Sequence, residues 1–154
     1  MNSKPNRKER IKFFKTITDC KFGNNVKLIP PYNIYGCEFG DDCFVGPFVE
    51  IQEFVKIGHN TTISSHCFLC SGVDIGNDCF IGHGVMFTND KFTDNEKMLK
   101  TKIGNNVKIG SNATILPVKI GNNCIIGAGT VVTKDIPDNC LVLGNPSRIV
   151  KNNL

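Results

Sequence analysis

No stretch of this sequence is apolar for long enough to cross a bilayer, and the basic N-terminal run "MNSKPNRKER" leads into no hydrophobic signal segment. A cytoplasmic protein with no membrane partner is therefore expected. Charge of one sign is scarce too. The net charge is only +4, Lys and Arg are scattered, and no nucleic-acid motif is present, so nucleic acid is not an expected partner. The single Cys-x-x-Cys, "CFLC" at 67–70, lacks a matching pair, and no ligand cluster is evident, so no metal is expected. The 3.6-residue apolar spacing of helices is also missing.

What is present is a beat. In "IGNDCFIGHGVMFTNDKF" (75–92), Ile75-Gly76 is answered by Ile81-Gly82, and then Phe87 is followed by Thr88 instead of glycine. Aliphatic or aromatic anchors recur every six residues at Phe22, Leu28 and Ile34, then from Phe39 through Val45, Ile51, Ile57, Ile63, Leu69, Ile75 and Ile81 to Phe87. They resume at Ile103, Ile109 and Ile115, and again at Ile120, Ile126 and Val132, with five-residue steps at Ile34 to Phe39 and Ile115 to Ile120. Four residues after the anchors stand small or β-branched side chains such as Val49, Val55, Thr61, Val73 and Val107, suited to a narrow interior corner. Three residues after them come Asn25, Asp42, Asn60, Gly72, Asp78, Gly84, Asn106, Asn112, Asn123, Gly129 and Asp135, types that tolerate a left-handed turn.

Each hexad is thus read as a short strand and a tight turn, three hexads closing one triangular coil. A chain of 154 residues, 40% hydrophobic and 21% charged, suits one globular domain over 1–154. Within it, 1–19 is a polar segment, 20–136 the β-helix with an inserted loop at 88–102, and 137–154 a C-terminal tail. Cys43, Cys67, Cys79 and Cys124 fall in the small inward column, as packing residues rather than nucleophiles. Cys20, Cys37, Cys70 and Cys140 lie off it; with no signal segment, all eight thiols are expected to be free.

The series resembles the hexapeptide repeat of the acyltransferases built on a left-handed parallel β-helix. It implies an all-β fold of about six triangular coils. Spacing alone does not give the hand; the left hand comes from the resemblance and departs from the usual crossover rule. "CFIGHGVMFTNDKF", "ISSHCFLCSGVDIG" and "NATILPVKIGNNCIIGAGTVVTKDIP" are similar to a subgroup that N-acetylates nucleotide-linked amino-deoxy sugars. That resemblance implies a homotrimer, acetyl-CoA as co-substrate in the groove between neighbouring prisms, and an inserted loop walling the site. The acceptor would be a UDP- or dTDP-amino sugar with its amine at C3 or C4. Relatives often continue "TND" with a Tyr-Pro-Arg-like run; here Lys91, Phe92 and Thr93 follow, which leaves the sugar open.

Acyl transfer to an amine needs a neutral nucleophile held near the thioester carbonyl, a path for one proton and a donor to the oxyanion. In the resembling subgroup the Asn of "TND" contacts the amine, which points to Asn89; Asp90 either supports the amine or shapes the loop. His66 and His83 fall on adjacent coils near the corner leading to Asn89, with His83 the first candidate for base or relay and His66 a substrate-binding residue. His59 sits in an ordinary repeat, solvated. "IIGAGTVVTKDIP" and "GNPSRIV" resemble the CoA-lining segments and so imply Gly127, Ala128, Thr133, Lys134, Pro146 and Arg148 as CoA contacts, the two cations meeting phosphates. Two other readings stay open: O-acetylation of a sugar or small alcohol, and a non-catalytic scaffold β-helix.

Overall fold

The structure is a computed structural model that describes residues 17–90 and 99–154. Its strands are mostly two residues long, the first pointing out and the second in, as at Lys56–Ile57, Phe80–Ile81 and Met86–Phe87. A pair is all that a six-residue period leaves once the turn is made. No such strand could stand alone, so each is stabilised by the rungs above and below it.

Three parallel sheets form the faces of the prism. The first face has seven strands, including Val49–Ile51, Phe68–Leu69, Met86–Phe87, Thr114–Ile115 and Val131–Val132. The second has six, from Lys21–Phe22 to Lys119–Ile120. The third runs from Lys27–Leu28 through Phe80–Ile81 to Cys140–Leu143, with Arg148–Asn152 folded back antiparallel on its end as the eighth strand. This is the left-handed β-helix, with about seven turns against the roughly six counted from anchors. Two strands beyond the anchor series, Ile17–Thr18 and Cys140–Leu143, extend the sheets.

The anchors face inward and stack in register, Phe39 on Ile57, Ile57 on Ile75, Ile75 on Ile103 and Ile103 on Ile120. From Ile34 to Val132 they are buried. Phe22 and Leu28 are the exceptions, exposed and half-buried, because among the described residues their coil has a rung on one side only; Phe22 stacks on Phe39 at 5.2 Å. The pairing of Ile75 with Ile103 shows that the insertion leaves the register untouched. Of the inserted segment, 91–98 lies outside the described residues, including Lys91, Phe92 and Thr93.

Glycine after the anchor is required by close approach. A Cβ on Gly76 would stand 2.6 Å from the Gly104 carbonyl oxygen of the next rung. The turn column is left-handed as expected except at Asp135; the positive φ near that end falls instead at Asn139. There the coil has lost its strand, and Ile136 meets Ile120 by a single bridge. Phe48 and Phe54, which the residue-type rule did not select, also have positive φ, 60° and 62°.

The corner between the second and third faces is a ladder of amides. His59 N–H donates to Asn77 Oδ1, Asn77 N–H to Asn105 Oδ1 and Asn105 N–H to Asn122 Oδ1, each at 2.8 Å. His59 belongs to this ladder, its Nδ1 accepting from the Asp41 N–H at 3.0 Å. Behind it the inward thiols donate to carbonyls of the next coil: Cys43 to Gly58 and Cys79 to Gly104, at 3.0 and 3.1 Å. Thr61 makes the same bond to Gly76 with its hydroxyl, at 3.0 Å.

Candidate active site

The first face is bounded by two corners, and the expected functional residues divide between them. His66 and His83 stand where the chain enters this face from the third. Asn89 stands where it leaves for the second, at the start of the insertion. His83 and Asn89 flank the strand Met86–Phe87. The turn at His83–Gly84 and the strand after it separate them by at most about 20 Å. The sequence expectation that both histidines lie near the corner leading to Asn89 is therefore corrected: they occupy the opposite edge of the same face, because a strand must run its length before the chain turns.

The rungs sort the remaining residues in the same way. On the histidine corner the backbone N–H of Asn112 donates to the His83 carbonyl and that of Gly129 to the Ser111 carbonyl, at 2.8 and 2.9 Å. Ala128 is thereby two rungs above His83, about 10 Å along the prism. The Gly144–Arg148 turn covers the same end: Val131 N–H donates to the Gly144 carbonyl and Ser147 N–H to the Val131 carbonyl, both at 3.1 Å. Pro146 and Arg148, both exposed, belong to this edge with Gly127 and Ala128. Gly127 has a packing reason to be glycine, since a Cβ there would strike the Leu143 side chain, whereas Gly129 faces open space.

On the insertion corner the register Phe87–Ile115–Val132 puts Thr133 two rungs above Thr88, and Lys134 two above Asn89. Lys134 and Asp90 are exposed and Asn89 is half-buried. The hydroxyls of Thr88 and Thr101, at the two stalks of the insertion, are buried without a hydrogen-bond partner among the described residues. An open groove of about 360 Å³ runs from the insertion corner onto the second face, lined by Gly36, Phe54, Lys56, Gly72 and Lys100, and contains none of the expected catalytic residues. Among the described residues, no group of three or more His, Cys, Asp or Glu is placed to hold a metal.

One contact at the histidine corner was not anticipated. Ser65 Oγ lies 2.7 Å from His83 Nδ1. If Nδ1–H donates to Ser65, Nε2 is left with a free lone pair facing outward, the tautomer a general base requires. Ser65 stands one coil of eighteen residues before His83, so the period itself pointed to it. On the rung below, the His66 ring stacks on Phe48, centroids 4.8 Å apart.

The comparisons with known proteins agree with this fold. The bacterial transferase hexapeptide model matches residues 36–71, and the hexapeptide repeat of succinyl-transferase matches 100–134. The chain belongs to the hexapeptide-repeat transferase family. It is 31% identical over 140 residues to the bifunctional protein GlmU of Trichormus variabilis, 90% of this chain but 30% of that protein. It is 33% identical over 109 residues to the serine acetyltransferase of Synechococcus elongatus, 68% of this chain and 38% of the relative. The chain thus spans well under half the length of these relatives. Among solved structures, a galactoside acetyltransferase in complex with coenzyme A is 28% identical with a TM-score of 0.66, over 98% of this chain and 74% of that one. No helix among the described residues is long and apolar enough to cross a membrane.

Proposed function

We propose that this chain is an acetyltransferase that moves the acetyl group of acetyl-CoA to the amine of a UDP- or dTDP-linked amino-deoxy sugar, at C3 or C4. The observation that carries the reading is the division of one face. His66, His83, Gly127, Ala128, Pro146 and Arg148 lie along one edge; Asn89, Asp90, Thr133 and Lys134 lie along the other. No single chain can close these two edges on one substrate. A neighbouring prism that sets its insertion corner against this chain's histidine corner completes the set, and three such contacts close a homotrimer.

In that groove the neutral amine attacks the thioester carbonyl, forming the C–N bond. Asn89 Oδ1 accepts an amine N–H and aligns the lone pair; His83 Nε2 takes the proton as positive charge develops on nitrogen. Collapse breaks the C–S bond, and the proton leaves with the thiolate as CoA thiol. The small residues Ala128 and Gly129 would let the pantetheine arm lie close to the backbone, with Lys134 and Arg148 near its phosphates.

The likeness to a galactoside acetyltransferase, together with the Ser65–His83 contact, favours O-acetylation of a sugar as the second reading. Release of CoA thiol against UDP- and dTDP-amino sugars, with galactosides in parallel, decides. Turnover only with amines supports the first reading, only with hydroxyls the second. No turnover and no binding of acetyl-CoA would leave a scaffold.

A further inference from the structure

The histidine corner carries a feature that acetyl transfer at His83 does not by itself explain. Its turn residues, one per rung, are Phe48, His66, Gly84, Asn112 and Gly129, with φ of 60°, 61°, 68°, 58° and 68°. Glycine and asparagine take this backbone conformation readily; a bulky ring at positive φ is a genuine outlier and stores strain. Burial does not repay it at Phe48, which is 58% exposed. Its ring instead lies against the His66 imidazole, 4.8 Å between centroids and 13° from parallel. That spacing is the rung repeat of a sheet, so the two rings pile up along the prism axis.

The pile stops where His83 stands. Gly84, one rung above His66, offers no side chain, and Asn112 Oδ1 from the next rung overhangs the place its Cβ would occupy. The exposed ring pair, the Asn112 carboxamide in the place of a Gly84 side chain and His83 alongside suit a pyranose: the apolar C–H face of the ring rests on a π surface, and its hydroxyl rim meets an amide that both donates and accepts.

We propose that the exposed Phe48–His66 stack is the seat of the acceptor's sugar ring, with Asn112, whose carboxamide takes the place that Gly84 leaves, bonding a ring hydroxyl, so that the amine is carried to His83. Phe48 acts from beneath as a positioning residue that fixes the plane of His66. The proposal rests on the acetyltransferase reading but makes its own demand. Strain and exposure at Phe48 are kept for binding, not for the fold.

The variant Phe48→Asn separates the two, because asparagine is what the fold itself uses at this backbone conformation two rungs higher than His66. Its melting temperature is expected to equal or exceed that of the wild type. For the sugar acceptor, kcat/KM is expected to fall by about 10- to 100-fold through KM, with the affinity for acetyl-CoA unchanged. A lower melting temperature with unchanged acceptor KM would make Phe48 a packing residue and overturn the proposal, as would no change in either. A second measurement needs no turnover: NMR of the His66 ring protons during titration with a free amino sugar, and separately with UDP and dTDP. A shift with the sugar that is lost in Phe48→Asn supports the seat. A response to the nucleotides alone overturns it. Wild-type protein inactive on every acceptor defeats the acetyltransferase reading itself, whereas wild-type turnover with an unaffected variant defeats only the seat.

Discussion

At the scale of single residues, chemistry and packing separate cleanly. Cys79 is 3% exposed and donates to the Gly104 carbonyl. Cys79→Ala should cost about 1–2 kcal/mol, the void plus the orphaned carbonyl, and leave turnover per folded enzyme intact. Cys79→Thr should recover part of that loss, since Thr61 makes the same bond one coil below. Calorimetry beside CoA-release kinetics reads both, and a dead but folded alanine variant would overturn the packing assignment. Asn89 is the opposite case. Asn89→Ala should preserve the fold and the affinity for acetyl-CoA while turnover drops by about 10- to 1000-fold. His83→Ala should lose less on an amine acceptor than on a hydroxyl, and its deficit should shrink as pH rises from about 6 to about 9, where more of the amine is neutral without help. Ser65→Ala should lower turnover by loosening the His83 ring, and Ser65→Thr, which keeps the hydroxyl, should restore it. Wild-type kinetics from the Asn89 variant would mean that the insertion corner takes no part.

At the scale of the coil, each rung satisfies its neighbours, and so buried thiols register alkaline pH. Burial pushes Cys67 and Cys70 up to about 11 from 9.0. A thiol held neutral by the fold contributes stability that is fully present below 9.0, its unfolded value, and is lost as pH rises through about 11. The melting temperature should therefore fall across that window, and Cys67→Ala, less stable at neutrality, should show a shallower fall. A parallel decline in the two proteins would show that other groups govern alkaline unfolding.

At the scale of the whole molecule, the faces differ in what they offer a neighbour. The second face points charge outward along Lys21, Glu38, Lys56, Asp74, Lys102 and Lys119, alternating in sign as far as Lys102, with Lys21 Nζ 2.8 Å from Glu38 Oε1, a surface content in water. The first face, between the two halves of the proposed site, shows Phe68, Met86, Thr114 and Val131 at its centre, Met86 with 41% of its surface open. Light scattering should give about three chain masses, a closed ring in which every site draws on two chains. Met86→Glu should dissociate this species and abolish turnover, while Lys102→Glu on the charged face should do neither. An active monomer would end the shared-site model.

The sequence by itself determined the coil. A strand pair and a turn repeat every six residues, and inward anchors, small corner residues and turn residues sit in fixed columns, so the period alone places Ile75 over Ile57. It also assigned the cysteine column, because a site that admits Val, Thr and Cys alike selects for size. Folding decided which edge each functional residue occupies. Proximity in sequence placed the histidines near the corner leading to Asn89; a turn and a strand hold His83 and Asn89 apart, and chain separation along a strand is distance, whereas eighteen residues around the coil is contact. Ser65 against His83 and Phe48 against His66 are contacts of that second kind, readable only once the coil is closed. Tertiary structure alone showed that two phenylalanines accept a backbone conformation their residue type resists, because strain at one position is set by the rungs that surround it and not by the residue that bears it.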